Sequence, residues 1–252
     1  MTVRLYKMRI DVYLAENGLV LSRTEAKRFI DEGAVTVNGK QISKASYDVT
    51  GTEDIVVDKT VKEFVSRGGL KLKGALSEFG VSADGRLCLD VGASSGGFTD
   101  CLLKHGAKHV IAVDSGSGQL AESLRRDERV TVFENYNARY MKADDFTYTP
   151  ELAVMDVSFI SATYIIPAVY DVLSDRGEFI CLIKPQFEVG RSGLGKGGIV
   201  KDSKVRDLAV KKVVDFAISC GFEVRGIVQS SIKGGDGNIE FLAHFVKVKG
   251  VL

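Results

Sequence analysis

Leu87-Cys88-Leu89-Asp90-Val91-Gly92-Ala93-Ser94-Ser95-Gly96-Gly97-Phe98-Thr99 reads as a buried strand, a glycine turn and the start of a helix. Four of the first five residues are apolar, as expected of a strand covered on both faces. Gly92 to Gly97 lets the backbone come close to a ligand before a helix that begins near Phe98. Tight strand-to-helix turns need glycine even where nothing binds, so the spacing has to discriminate. It is G-x-x-x-G-G, and lacks the G-x-G-x-x-G spacing in which the second glycine admits a pyrophosphate. S-adenosylmethionine has no pyrophosphate, and Asp90 at the strand end suits its methionine amino group.

Working outward, strands are expected over Leu87–Val91, His109–Asp114, Val130–Asn135, Leu152–Val157 and Glu178–Lys184, alternating with segments of helical period. This alternation predicts an α/β fold: a Rossmann-like parallel sheet with helices on both faces and its ligand site at the carboxyl ends of the strands. Phe222–Ser230 and Ile239–Lys247 read as an antiparallel pair at one edge. Asp114, ending the second strand, is placed to accept hydrogen bonds from ribose hydroxyls, a role shared with NAD enzymes. The candidate cofactor residues are Asp90, Gly92, Ala93, Ser94, Ser95, Gly96, Gly97, Phe98, Asp114 and Asp156.

Lys71, Asp156, Lys184 and Glu240 stand where sheet and helix ends can bring them together. A ribose hydroxyl is weakly acidic and must be positioned and deprotonated, whereas a sulfonium cofactor is already an activated methyl donor. A lysine can take that proton when neighbouring positive charge and desolvation favour its neutral amine, and carboxylates can orient it. Lys184 is therefore assigned as general base, Lys71 as the group that positions the hydroxyl and tunes Lys184, and Asp156 and Glu240 as orienting acids. Plainer readings exist: Lys71, beside Leu72, Ala75, Leu76 and Phe79, has the pattern of an exposed helix lysine, and Glu240 could simply begin an edge strand. Asp156 and Lys184 each terminate a strongly apolar strand, which favours a site.

Gly190-Arg191-Ser192-Gly193-Leu194-Gly195-Lys196 satisfies most of a phosphate-loop pattern, but Gly197 stands where a Ser or Thr hydroxyl is needed for magnesium. A mobile, basic substrate loop is the preferred reading. From Cys181 to Lys212 eight basic residues face three acids, the local charge an RNA backbone requires. Over the whole chain of 252 residues, 34 basic and 33 acidic side chains nearly cancel, so any RNA-binding surface must be local.

Toward the N-terminus the pattern changes to two short helices followed by strands. Ser22-Arg23-Thr24-Glu25 has capping-box spacing for a helix over Arg23–Glu32, which Gly33 can close. Ala34-Val35-Thr36-Val37 alternates as a strand and meets Asn38-Gly39, a hairpin-turn pair, with Lys40-Gln41-Ile42 returning. Arg23, Lys27 and Arg28 can share a helix face, with Lys40 on the hairpin tip and Arg9 at the entrance, forming either a phosphate-contacting patch or a solvated face. Arg67, Arg191, Lys196 and Lys201 complete the candidate RNA contacts. Residues 1–61 form the expected small α+β domain, 62–67 a linker and 68–252 the large domain.

Cys88, Cys101, Cys181 and Cys220 lack C-x-x-C spacing and sit in apolar stretches, which points to free thiols in a reducing compartment. Met1 to Arg9 is basic, but no continuous apolar segment follows it and no run approaches a membrane span, so a cytoplasmic protein without membrane contact is expected. His105, His109 and His244 have no metal-ligand spacing, and neither a metal nor an obligatory protein partner is expected.

Arg9-Ile10-Asp11-Val12-Tyr13-Leu14, Ser22-Arg23-Thr24-Glu25-Ala26 and Gly33 through Lys40 together resemble the S4 domain, a small RNA-binding module. Adding Ser66-Arg67-Gly68-Gly69-Leu70-Lys71-Leu72, the Asp90–Thr99 loop, Asp156-Val157-Ser158-Phe159-Ile160-Ser161, Lys184-Pro185-Gln186-Phe187-Glu188 and Gly234-Gly235-Asp236-Gly237-Asn238-Ile239-Glu240, essentially the whole chain resembles the haemolysin A (TlyA) family. The resemblance implies an S4 domain fused to an FtsJ-like, S-adenosylmethionine-dependent methyltransferase domain. It further implies 2′-O-methylation of cytidine in bacterial ribosomal RNA, on 16S, 23S or both, with ribosomal subunits as partners, and carries the K-D-K-E roles to Lys71, Asp156, Lys184 and Glu240. The linker reads Lys62-Glu63-Phe64-Val65, unlike the arginine- and tryptophan-containing version of some members. The family name raises a pore-forming haemolysin as a competing class; a non-catalytic RNA-binding assembly factor and an NAD-dependent enzyme are the others. The intact lysine–acid set disfavours the assembly factor, and the glycine spacing disfavours NAD.

Overall fold

A computed structural model describes residues 7–31, 33–58, 64–190, 193–234 and 237–248. The chain divides into two compact units, Met1–Arg67 and Gly68–Leu252.

In the first unit β1 (Met8–Arg9) leads into α1 (Ile10–Glu16) and α2 (Arg23–Asp31), followed by β2 (Val35–Val37), β3 (Lys40–Gln41), β4 (Asp48–Val49) and β5 (Ile55–Val57). β1 pairs with β4, and β3-β2-β5 form a separate antiparallel sheet. Ile10 and Leu14, one helical turn apart, bury against Phe29 and Ile30 of α2 and Val35 and Val49 of the strands. Ser22 Oγ accepts from the Glu25 amide at 3.1 Å, and the Glu25 carboxylate reaches back past it to the Leu21 amide at 2.7 Å. The expected helix end at Glu32 lies outside the described residues, but Gly33 beyond it has φ +70°. Asn38 (φ +50°) and Gly39 (φ +72°) make the two-residue turn that pairs Val37 with Lys40.

The second unit begins with α3 (Gly68–Phe79) and continues through β6 (Leu87–Val91), α4 (Gly97–Lys104), β7 (His109–Val113), α5 (Glu122–Arg125), β8 (Val130–Phe133), β9 (Leu152–Met155), α6 (Ile166–Val172), β10 (Glu178–Ile183), α7 (Pro185–Glu188), α8 (Ser203–Ser219), β11 (Phe222–Gln229) and β12 (Phe241–Lys247). One seven-stranded sheet has the order β11-β12-β10-β9-β6-β7-β8. β6 to β10 run parallel, while β12 is antiparallel to both of its neighbours. The expected edge pair is present, with β12 as its inner member. The order reverses between β9 and β6, and the crevice at such a reversal is where open α/β sheets bind ligands.

Leu89, Val91, Met155, Phe179, Cys181, Ile183, Ala243 and Phe245 pack one sheet face against α6 and α8, with Phe222, Phe179 and Phe245 forming an aromatic cluster. Several expected strands run one or two residues past the observed ladders. Asp114, Asp156 and Lys184 each stand just beyond the last paired residue. For Lys184 the cause is the next residue: Pro185 has no N–H to continue the ladder and instead starts α7.

Candidate active site

Glycine dictates the turn after β6. Gly92 has φ +84°, and a Cβ there would lie 2.5 Å from the Asp156 carbonyl oxygen, so only glycine lets the loop pass the end of β9. The Gly92 and Ala93 amides donate to the Val113 carbonyl at 2.8 and 3.1 Å, and Gly96 caps α4 in the left-handed conformation. Asp114 Oδ2 accepts from the Ser94 amide at 2.8 Å and Oδ1 from the Gly116 amide at 2.7 Å. Each of its oxygens keeps a lone pair for a further donor. Ser94 is exposed, whereas the Phe98 side chain is buried in the core, so Phe98 contributes to this loop only through its backbone.

Asp90 is fully buried. Its Oδ2 accepts from Thr99 Oγ1 at 2.6 Å, and its buried Oδ1 has no hydrogen-bond partner among the described residues. Burial pushes the carboxyl up to about 7; the Thr99 hydrogen bond opposes the rise, and the charges of Asp156 and Asp114 add to it. An orphaned acceptor at the end of the first strand, beside a glycine cradle, suits a cofactor bearing a cationic or N–H donor.

Lys71 and Glu240, assigned together from sequence, are an ion pair. Lys71 Nζ lies 2.6 Å from Glu240 Oε2, with side chains 6% and 3% exposed. Lys71 is therefore not the solvated helix lysine that its neighbours suggest. Glu240 Oε1 is 3.5 Å from Gln186 Nε2, and a Cβ on Gly234 would come within 2.3 Å of that same oxygen. Lys184 Nζ lies 2.5 Å from Asp156 Oδ1 and donates to Ser158 Oγ at 2.7 Å. The two pairs meet at one edge. Ile183 of β10 pairs with Phe241 of β12, so Lys184 and Glu240 leave the ladder beyond the same rung, and Gln186 links the Lys184 segment to Glu240.

The sequence pattern gives Gln186, Ser158 and Thr99 no role, because they carry no charge, although each lies within one of the motifs. Phe159 is 92% exposed, has φ +65°, and stands with its ring centroid 5.2 Å from that of Phe187, whose ring is 6.0 Å from Lys184 Nζ. An exposed aromatic face one ring removed from the lysine can stack a base.

Of the candidate RNA contacts, Arg9 and Arg23 both pair with buried Asp11 at 2.9 Å while remaining 50% and 61% exposed. The carboxylate offsets part of their charge and fixes both guanidinium groups. Lys27, Lys40 and Lys201 are exposed and Arg67 is half-buried. Arg191 lies outside the described residues, as do the side chains of Arg28 and Lys196. Cys88, Cys101, Cys181 and Cys220 are free thiols. His244 is a buried partner of Glu178 at 3.1 Å. Among the described residues no group of three or more His, Cys, Asp or Glu side chains is arranged to hold a metal ion.

The FtsJ-like methyltransferase family model matches residues 64–247, and that of the S4 domain matches residues 8–56. Hemolysin A of Brachyspira hyodysenteriae is 44% identical over 95% of this chain and 100% of its own length. The 16S/23S rRNA (cytidine-2′-O)-methyltransferase TlyA of Mycobacterium tuberculosis is 41% identical over 93% of this chain and 88% of its own. A solved structure from Streptococcus thermophilus, provisionally described as a hemolysin, superposes with a TM-score of 0.77 at 43% identity, covering 98% of this chain and 90% of that one.

Proposed function

The chain belongs to the haemolysin A/TlyA family, in which an S4 domain precedes an FtsJ-like methyltransferase domain, and from that premise we propose that it methylates the 2′-hydroxyl of a cytidine in bacterial ribosomal RNA, using S-adenosylmethionine in the cytoplasm. The observation that carries this reading is the meeting of two lysine–carboxylate pairs at the carboxyl edge of the sheet, beside the glycine loop.

The residues present fit the cofactor. Asp90 Oδ1 and Asp156 would face its amino end, the Gly92–Gly97 loop would let its backbone approach, and Asp114 would take the ribose hydroxyls. When bound, S-adenosylmethionine supplies a methyl group already activated on a sulfonium, so no further activation of the carbon is needed. The protein's task is to place and deprotonate the acceptor. Asp156 and Ser158 hold the Lys184 amine, which in its neutral form would take the proton of the acceptor hydroxyl. Lys71, aligned by Glu240, adds fixed positive charge beside the oxygen that becomes more negative as its proton leaves.

Phe159 offers a stacking face for an unpaired base, and a target lifted out of its helix would need one. Arg9, Arg23, Lys27 and Lys40 would anchor RNA on the S4 domain, with Lys201 and the neighbouring basic loop closing on the target. The competing membrane-active reading has only names behind it, and among the described residues no helix is long and apolar enough to cross a membrane.

The test is transfer of labelled methyl from S-adenosylmethionine to purified ribosomal subunits, with the modified nucleotide mapped and Lys184→Ala in parallel. Labelling of a cytidine ribose that depends on Lys184 is expected. No labelling of either subunit by folded, cofactor-binding protein would overturn the assignment.

A further inference from the structure

Two motifs singled out in the sequence, Asp156-Val157-Ser158-Phe159-Ile160-Ser161 and Lys184-Pro185-Gln186-Phe187-Glu188, end on residues that the reaction does not use. Ser161 and Glu188 meet each other. Glu188 Oε2 accepts from Ser161 Oγ at 2.5 Å, and Oε1 accepts from the Ala162 amide at 2.7 Å. From α8, Lys212 Nζ donates to the Glu188 carbonyl at 3.0 Å and to Oε2 at 3.2 Å. The Glu188 side chain is only 2% exposed and its carboxylate is engaged by three donors, which leaves it poorly placed to receive substrate or cofactor.

The position of this cluster gives it another use. Asp156 opens the first segment and Lys184 opens the second, and the last rung joining β9 to β10, Met155 with Cys181, pins the chains one residue before Asp156 and three before Lys184. Glu188 pins their far ends. The segments therefore form a closed ring whose near side carries the 2.5 Å Lys184–Asp156 contact and whose first segment holds the exposed Phe159 at φ +65°, a conformation costly for a bulky residue unless the backbone around it is fixed.

We propose that Glu188 is a positioning residue: by clipping Ser161 and Ala162 to the end of α7 it sets the separation of Asp156 and Lys184. This rests on the methyl-transfer reading above for its consequence in catalysis, but not for its effect on Lys184 itself. Opening the clip lets the two segments separate and leaves the Lys184 amine less well held. A misplacement on the order of 1 Å is enough to lower a rate about 100-fold.

The experiment uses the full chain with Ser161→Ala, which removes one hydroxyl, and Glu188→Gln, which keeps an acceptor for the Ala162 amide. Tyr170→Phe, which deletes a remote hydrogen bond to the Val248 carbonyl, is the control. Two readouts are taken: trace acetylation of lysines by acetic anhydride, quantified at Lys184 by mass spectrometry, and methyl-transfer kinetics on ribosomal subunits. Both clip variants are expected to raise Lys184 acetylation several-fold relative to Lys73 and to lower kcat roughly 10- to 100-fold, with KM for RNA and Kd for S-adenosylmethionine within about twofold of wild type. Their effects on kcat should be less than additive in the double variant, because both open the same clip. Unchanged Lys184 acetylation in the two folded variants would overturn the proposal, as would a kcat equal to that of Tyr170→Phe. Failure of the wild type to methylate RNA would remove the reaction instead, and the acetylation readout would then decide the clip alone.

Discussion

Lys71 and Glu240, 169 positions apart in the chain, form a 2.6 Å ion pair almost sealed from solvent. Removing either partner leaves an unpaired buried charge. Lys71→Met and Glu240→Gln should each lower unfolding free energy by about 3–5 kcal/mol, while Lys71→Met combined with Glu240→Leu should lose less than either alone. Urea unfolding of the three variants checks this ordering; a double variant weaker than both singles would contradict it.

Lys184→Ala should cut methyl transfer by about 10²- to 10⁴-fold while leaving the Kd for S-adenosylmethionine unchanged. Lys184→Arg should not restore it, since a guanidinium does not give up its proton in proteins. Single-turnover kinetics beside calorimetric cofactor titration separates the two effects. Equal losses in rate and cofactor affinity would rule out a dedicated base.

The raised Asp90 carboxyl makes a signed prediction. With a folded value of about 7 against 3.8 for the ordinary group, its favourable contribution is complete below the lower value, is lost as pH rises through about 7, and then levels off. Between about pH 5 and pH 8 the loss should be on the order of 3 kcal/mol, and Asp90→Asn should abolish it. Cofactor binding should follow the opposite course, strengthening as Asp90 ionises. Urea midpoints and calorimetry across that range test both slopes.

Phe159→Ala should leave folding and cofactor affinity intact, because the ring is 92% exposed. Loss of one stacked base is expected to weaken RNA binding by about 1–3 kcal/mol. Filter binding of a ribosomal RNA fragment measures the effect, and an unchanged affinity would exclude stacking at this position.

Gly92→Ala should damage binding and chemistry together. The added Cβ meets the Asp156 backbone oxygen at 2.5 Å in a conformation already unfavourable for alanine, at a cost of about 1–3 kcal/mol. Cofactor affinity and kcat should both fall; a loss confined to one would show that the loop and the end of β9 move independently.

What the sequence alone reveals follows the range of the forces involved. The β6–Gly92–α4 turn, the Asn38-Gly39 hairpin and the β11–β12 pair rest on local backbone rules, and the structure has them where the spacing puts them. Lys184 and Asp156 were legible because each breaks a long apolar run at a strand end. Lys71 was not legible from its own surroundings: helical spacing makes it an exposed lysine, and only a glutamate brought in by β12 explains its burial. Gln186 and Glu188 escaped for the same reason, since their partners, Glu240 just before β12, Ser161 and Ala162 after β9 and Lys212 on α8, come from distant segments that no local pattern encodes. Nor could spacing reveal that Asp11 ties up the Arg9 and Arg23 guanidinium groups.

β12 enters the sheet between two strands that precede it in the chain, and Glu240 arrives with it. During synthesis, Lys71 and Lys184 leave the exit tunnel long before the acid that seals the site. Lys71 can therefore pair with Glu240 only once β12 has seated between β10 and β11, which ties burial of that lysine to completion of the sheet rather than to folding of its own helix.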